Sequence, residues 1–461
     1  MIKRKRFIKN NYDLKKIDIN KSINEIKEQI KICENNAKKN YPPDMKQSID
    51  SLGNKETDSS FYTGTGGNIY IYWKQYLFYN KKKEYLEKFH QSLKTNLSII
   101  EESNPPDTNS FFFGDSGLFL FYCLYAIEIN NKNLFEEKFK NLIELKYISE
   151  MENSEVELLY GTSGYLYCLL YLKKYIISEM NGNEIINKNS MELLNNTIIQ
   201  IFNILLKCGI KSMKKYHWDK CLLFPFPLNE NRPQFYLGAA HGLIGVLYIL
   251  LSTIKFYPEL FKQELTLDEN KINIQDILLK SIKYVQSLQI ESTGNFPSDV
   301  SGRDSGELVH FCHGCVGALH LFLLAEQFYP NNGFEETALS CNKCLWERGL
   351  LLKGISLCHG MSGIVYSLIR LYKYTKDDLY LKEAIGICKG TYDPNILSLV
   401  KEDKDPQRKC KGIPDTPYSL MEGEGGCLVM YYDLMLILLK NDKSVFIGIS
   451  LDMKFVSNII I

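Results

Sequence analysis

The chain has 461 residues, of which 45% are hydrophobic and 24% charged, and a formal net charge of +1. A balance this near zero gives no electrostatic reason to bind nucleic acid or another acidic polymer, and the hydrophobic share suffices for one large core. No stretch of about 18 uninterrupted apolar residues occurs, so no bilayer-spanning helix is expected.

The start, Lys3-Arg4-Lys5-Arg6, is basic and lacks the apolar core and cleavage site of a signal peptide. Position two is not glycine, which excludes N-myristoylation. So short a basic run reads as a solvated tail and supports only a weak peripheral membrane contact. Thirteen cysteines, an odd number scattered through hydrophobic segments as at Cys123, Cys168 and Cys388, read as reduced thiols of a cytoplasmic protein.

Along the chain one local design recurs seven times: a Gly-x-x-Gly turn opening onto an apolar, aromatic-rich stretch. The first glycines of the turns are Gly64, Gly114, Gly161, Gly242, Gly314, Gly360 and Gly423. Repetition of this kind determines the architecture before any single residue does. The shortest intervals, 46, 47 and 50 residues, are the length of one helical hairpin. Longer intervals contain Asn- and Lys-rich filler, residues 181–196 and 401–411, which reads as insertion on a loop face.

After each second glycine the pattern is helical and apolar nearly all round, for example Tyr165 to Leu172, Val246 to Leu251 and Ala318 to Ala325. Such a helix must be enclosed by others. Tyr70, Tyr167, Tyr248, His320 and Tyr366 all lie three residues past a second glycine, positions suited to packing inside a barrel. The expected fold is all-α, a closed α/α barrel of seven inner and seven outer helices; an open solenoid is the competing arrangement. Asp115 and Glu424, at the starts of two of the apolar helices, read as helix-start carboxylates.

Two turns carry a Cys-His pair in the same slot: Cys312-His313 before Gly314 and Cys358-His359 before Gly360. Thiolates and imidazole converging on a ring centre form the ligand set zinc favours. If both histidines bound, the site would be closed and structural; with one, a fourth position stays open for water or substrate. Spacing alone does not choose.

The seven turns, the elements Phe311-Cys312-His313-Gly314 and Leu357-Cys358-His359-Gly360, the copy Ala239-Ala240-His241-Gly242 and the run from Pro414 to Gly423 resemble the eukaryotic LanC-like proteins. These are relatives of the bacterial lanthionine synthetase cyclases, and the resemblance runs from about residue 6 to about residue 435. It implies one domain over residues 1–461, with residues 1–20 folding over the site. It also implies one zinc per chain, held by Cys312, Cys358 and His359, with His313 left out and the fourth position open.

The implied reaction is addition of the glutathione thiol to the β-carbon of dehydroalanine or dehydrobutyrine residues in proteins, with zinc keeping the sulfur ionised. His241 falls where the family places its proton donor, although alone it would read as a capping or packing histidine. Glu157 falls where the family carries a catalytic carboxylate, as an acid or as an orienting partner. Lys353, Arg6 and, with the register off by one, Lys411 match the cations that receive the glutathione carboxylates. Leu308 stands where the bacterial cyclases carry an arginine, which argues against a peptide cyclase. A zinc- and glutathione-binding sensor or scaffold without turnover is the alternative, while a glycosidase would need a carboxylate pair that the Cys-Cys-His set does not provide.

Overall fold

The computed structural model describes residues 6–102, 108–144, 155–179, 185–227, 233–267, 270–402, 414 and 416–440. In chain order the α-helices are α1 (Ile19–Asn40), α2 (Gly66–Phe78), α3 (Lys83–Glu102), α4 (Ser116–Glu128) and α5 (Lys132–Ile143). Then follow α6 (Thr162–Glu179), α7 (Lys188–Lys215), α8 (Leu243–Phe256), α9 (Ile274–Ser287) and α10 (Cys315–Phe328). The last are α11 (Phe334–Arg348), α12 (Met361–Thr375), α13 (Asp378–Gly390), α14 (Pro394–Glu402) and α15 (Glu424–Leu438).

Seven of these, α2, α4, α6, α8, α10, α12 and α15, begin at the seven glycine turns. Each packs on the next, and α15 packs on α2, so the inner ring closes. Their composition requires it: every residue of α15 after Glu424 is buried, as is every residue of α2 from Gly66 to Tyr76. Only enclosure on all sides removes that much apolar surface from water. The outer helices are amphipathic instead. In α9 the buried residues Ile274, Leu278, Ser281, Ile282 and Val285 recur at helical spacing on one face.

The expected arrangement of hairpins holds for six inner helices, whose outer partners follow them in sequence. The seventh differs. Helix α15 is covered by α1, from the other end of the chain, through Ser22, Ile26, Ile30, Cys33 and Ala37. A closed ring needs an amphipathic helix at each outer position but does not require it to be the next in sequence. Asp18 caps α1 by accepting from the Lys21 amide at 3.0 Å.

Residues 188–196 correct the expected 181–196 insertion, because they form the first turns of α7 rather than a loop. Asn187 caps that helix, accepting from the Ser190 amide at 2.8 Å, and Leu194 and Ile198 turn inward. The Asn- and Lys-rich composition there belongs to its solvent face. Residues 181–184 lie outside the described residues, as do 403–411 of the second segment; Lys401 and Glu402 finish α14. Among the described residues α7 alone is long and apolar enough to cross a membrane by length and composition; 61% of its most apolar window is buried, and it packs on α6 and α8.

The turns are laced together at one end of the ring. The Phe61 amide donates to the Phe112 carbonyl at 2.7 Å, Leu158 to Ala240 at 3.1 Å, and Phe311 to Cys358 at 2.9 Å. Cys358 in turn donates to Met421 at 2.9 Å and Met421 to Tyr62 at 3.1 Å, joining the last turn to the first. Close approach sets the residue type at Gly238, where a Cβ would lie 1.9 Å from the Cys312 carbonyl oxygen. At Gly314, φ is +105°, a backbone conformation that suits glycine.

Candidate metal centre and its mouth

The residue before the first glycine of each turn is Thr63, Phe113, Tyr160, His241, His313, His359 or Glu422. All seven stay partly or largely exposed, while the glycine that follows each is buried. One slot of the repeat therefore lines the mouth of the ring, and its chemistry varies from copy to copy.

Cys312, Cys358 and His359 converge there, with one ligand atom from each within 4.8 Å of the other two. Two donors at zinc bond lengths in a tetrahedron are about 3.7 Å apart, so only a small contraction brings this set onto one ion. Two soft sulfurs and one imidazole fit zinc, and three protein donors leave a fourth position. His313 is not in the set; its ring meets Tyr236 edge-on at 5.3 Å, and its Nδ1 has no hydrogen-bond partner among the described residues.

The two sulfurs lie within 4.8 Å of each other. The influence of Cys358 holds Cys312 well below the ordinary thiol range, against the opposing effect of burial and with help from His310 and His359. The same proximity, together with burial, pushes Cys358 up. Of the two thiols, Cys312 is therefore the one biased toward the thiolate. Two neighbours were not evident from sequence reasoning. His310 faces Cys312 closely enough to act on it, and burial pushes the His310 pKa down to about 4. Tyr62 acts on Cys358 in the same way, and burial and nearby negative charge keep its phenol protonated. His310 has a faint signal, two residues before a ligand cysteine. Tyr62 has none beyond its place beside the first turn.

Glu157 and His241 come from different turns and meet: Nδ1 of His241 lies 3.1 Å from Oε2 of Glu157. Glu157 is 2% exposed and held by the amides of Leu159, at 2.9 Å, and Tyr160. Burial by itself would lower the pKa of His241, but the hydrogen bond and charge of Glu157, with a contribution from Cys312, raise it above the ordinary value. The ring centre of His241 is 6.0 Å from that of Tyr160, 5.0 Å from Phe226 and 6.3 Å from His313.

Two of the expected cations, Lys353 and Arg6, belong to neighbouring paired segments. Lys353 is close enough to act electrostatically on His310. Phe7 and Ile8 pair antiparallel with Leu351 and Leu350, and the Leu352 amide donates to the Arg6 carbonyl at 3.1 Å. The start of the described chain therefore lies beside Lys353, and Arg6 is exposed there. Lys411 lies outside the described residues. Asp115 stands at the N-cap of α4 without a side-chain capping bond, its pKa raised to about 6 by burial. Glu424 turns away from the mouth and accepts from Asn36 of α1 at 2.9 Å.

Residues 55–447 match the model of the lanthionine synthetase C-like protein family. The chain belongs to that family. Among proteins similar to this LanC-like chain is the glutathione S-transferase LANCL1 of Danio rerio, 28% identical over 329 residues, 71% of each chain. Another is the LanC-like protein GCL1 of Arabidopsis thaliana, 24% identical over 284 residues, 60% of this chain and 55% of the relative. Among solved structures, a nisin cyclase matches with a TM-score of 0.50 and 16% identity, covering 91% of this chain and 98% of the cyclase. At that identity the likeness concerns the fold, and it agrees with the closed helical ring.

Proposed function

We propose that this chain is a zinc-dependent enzyme that forms carbon–sulfur bonds by adding glutathione to dehydroalanine or dehydrobutyrine residues in proteins. The observation that carries the reading is the convergence of Cys312, Cys358 and His359 beside a Glu157–His241 pair and a cationic side with Lys353 and Arg6. The kinship with a protein named as a glutathione S-transferase supports the choice of thiol. The free state of the twelve described cysteines suits the reducing, cytoplasmic setting in which glutathione is abundant.

When bound, zinc would take the glutathione sulfur in its fourth position and keep it ionised at neutral pH. Lys353 and Arg6 receive the glutathione carboxylates and so set the orientation of the thiol. The sulfur forms its bond to the β-carbon of the acceptor as the carbon–carbon double bond opens, and the displaced electron pair moves to the acceptor carbonyl as an enolate. His241, with Nδ1 engaged by Glu157, offers a proton from Nε2 to the α-carbon. The proton lost by the thiol balances the proton gained at carbon, and no oxidant or reductant is required.

Purified protein, glutathione and a dehydroalanine peptide, followed by mass spectrometry with zinc quantified on the same sample, test the reading. The expected result is one zinc per chain and a glutathione adduct, both lost in Cys358→Ala. Full activity in metal-free Cys358→Ala protein would overturn the mechanism. One equivalent of zinc without adduct would leave a zinc- and glutathione-binding sensor or scaffold.

A further inference from the structure

The mouth is divided by chemistry. One sector, beside His310, has Lys353, with Arg6 in the segment that pairs alongside it. The other sector is aromatic: Tyr62 stacks on Phe113 at 5.4 Å, Phe113 on Tyr160 at 4.2 Å and 11°, and Tyr160 on Phe226 at 6.0 Å. Tyr160 is 37% exposed, which is unusual for a large aromatic ring in a chain that buries most of its rings. These rings run from the Cys358 side of the centre to His241, and they occupy two of the seven slots that face the mouth.

The same sector is negative. Besides burial, which is the largest influence, the carboxylates of Glu157, Glu422 and Asp58 all act on the Tyr160 phenol. Glu157 is committed to His241, whereas Glu422 and Asp58 are partly exposed at the rim. Glu422 accepts from Thr416 at 3.2 Å and lies 3.9 Å from Nε2 of His359, so it borders the metal-ligand side as well; Asp58 accepts from Thr63 at 2.7 Å, a neutral partner that leaves its charge in place. Aromatic faces backed by carboxylates attract a cation, above all the flat guanidinium of arginine.

We infer that the Phe113–Tyr160 sector is the acceptor subsite, and that it selects protein segments with a basic residue, arginine before lysine, within two positions of the dehydroamino acid. The inference rests on the reading of this site as a glutathione-adding enzyme and goes further by assigning the acceptor. With the acceptor α-carbon at His241, a neighbouring residue about 3.8 Å along the chain lies over Tyr160, whose ring centre is 6.0 Å from that of His241. The two substrates are thereby sorted by charge: the thiol, through its two carboxylates, goes to the cationic sector and the basic acceptor to the aromatic, acidic one.

Three otherwise identical dehydroalanine peptides, carrying Arg, Leu or Glu two positions from the dehydroalanine, test this with the full chain, zinc and glutathione. The Arg peptide should exceed the Leu peptide in kcat/KM by about tenfold, the scale of a desolvated cation–π contact, and the Glu peptide should be slowest. In Tyr160→Leu and in Phe113→Leu the Arg-to-Leu ratio should fall toward one. Adducts on all three peptides at equal kcat/KM, or a preference for Leu or Glu, would overturn the acceptor subsite and leave the enzyme reading standing. Absence of any adduct would overturn that reading and the subsite with it. The wild-type series decides the matter even if a variant does not fold.

Discussion

Glu157 and His241 act as a unit because neither is placed by its own helix alone. The glutamate is fixed by two amides of its own turn and reaches across to the histidine of the next. His241→Ala should retain zinc and glutathione while the addition step falls by about 10²–10⁴-fold, measured as kcat with zinc content in parallel. Glu157→Gln gives a sharper test. An acid is active below its pKa and fails as pH rises through it. Glu157 raises the pKa of His241 against burial, so its removal should shift the alkaline limb of kcat/KM to lower pH. An unmoved limb would mean that His241 is not the titrating acid. At this scale the sequence was informative where residue type and repeat position coincided, as for the two Cys-His pairs, although it did not choose between His313 and His359. His310 and Tyr62 carried no comparable pattern, because their contacts to the two sulfurs depend on how neighbouring turns are laced together.

Among the elements, the short pairing of Phe7 and Ile8 with Leu351 and Leu350 has a role out of proportion to its size. It places Arg6 beside the segment that ends in Lys353, and the Asn10 side chain anchors the same stretch by donating to the Trp346 carbonyl at 3.1 Å. Removal of residues 1–11 should raise the KM for glutathione by about tenfold, the scale of one lost charge-assisted contact, while zinc content stays at one per chain. Loss of zinc together with KM would show instead that the segment supports the centre as a whole. Helix boundaries were the least legible elements. The first turns of α7 read as filler because their solvent face is rich in Asn and Lys, and only packing of Leu194 and Ile198 reveals the helix.

For the whole molecule the weak point of a closed ring is its seam, where α2 meets α15. There Lys74 of α2, 4% exposed at its side chain, pairs with fully buried Asp433 of α15 at 2.6 Å. The Tyr366 hydroxyl of α12 donates to the other Asp433 oxygen, also at 2.6 Å. A carboxylate buried so deeply requires its partner. Lys74→Met should cost about 3–5 kcal/mol, read from the denaturant midpoint, and Lys74→Met with Asp433→Leu should recover part of that loss. Equal losses in the single and double variants would mean that packing rather than charge holds the seam.

The seven glycine turns and the apolar helices that follow them determined the fold class from sequence alone, because helices apolar all round have few ways to hide and a fixed repeat makes their environments equivalent. The two Cys-His pairs likewise marked the candidate metal site, since equivalent positions in a ring face a common axis. Tertiary structure decided what depends on neighbours remote in sequence. It brought α1 round to cover α15, separated His313 from the ligand set, joined Glu157 to His241, and gathered Phe113, Tyr160 and Phe226 into one wall. Each of these is a contact between turns or helices that local pattern does not encode, and each follows from closure of the ring.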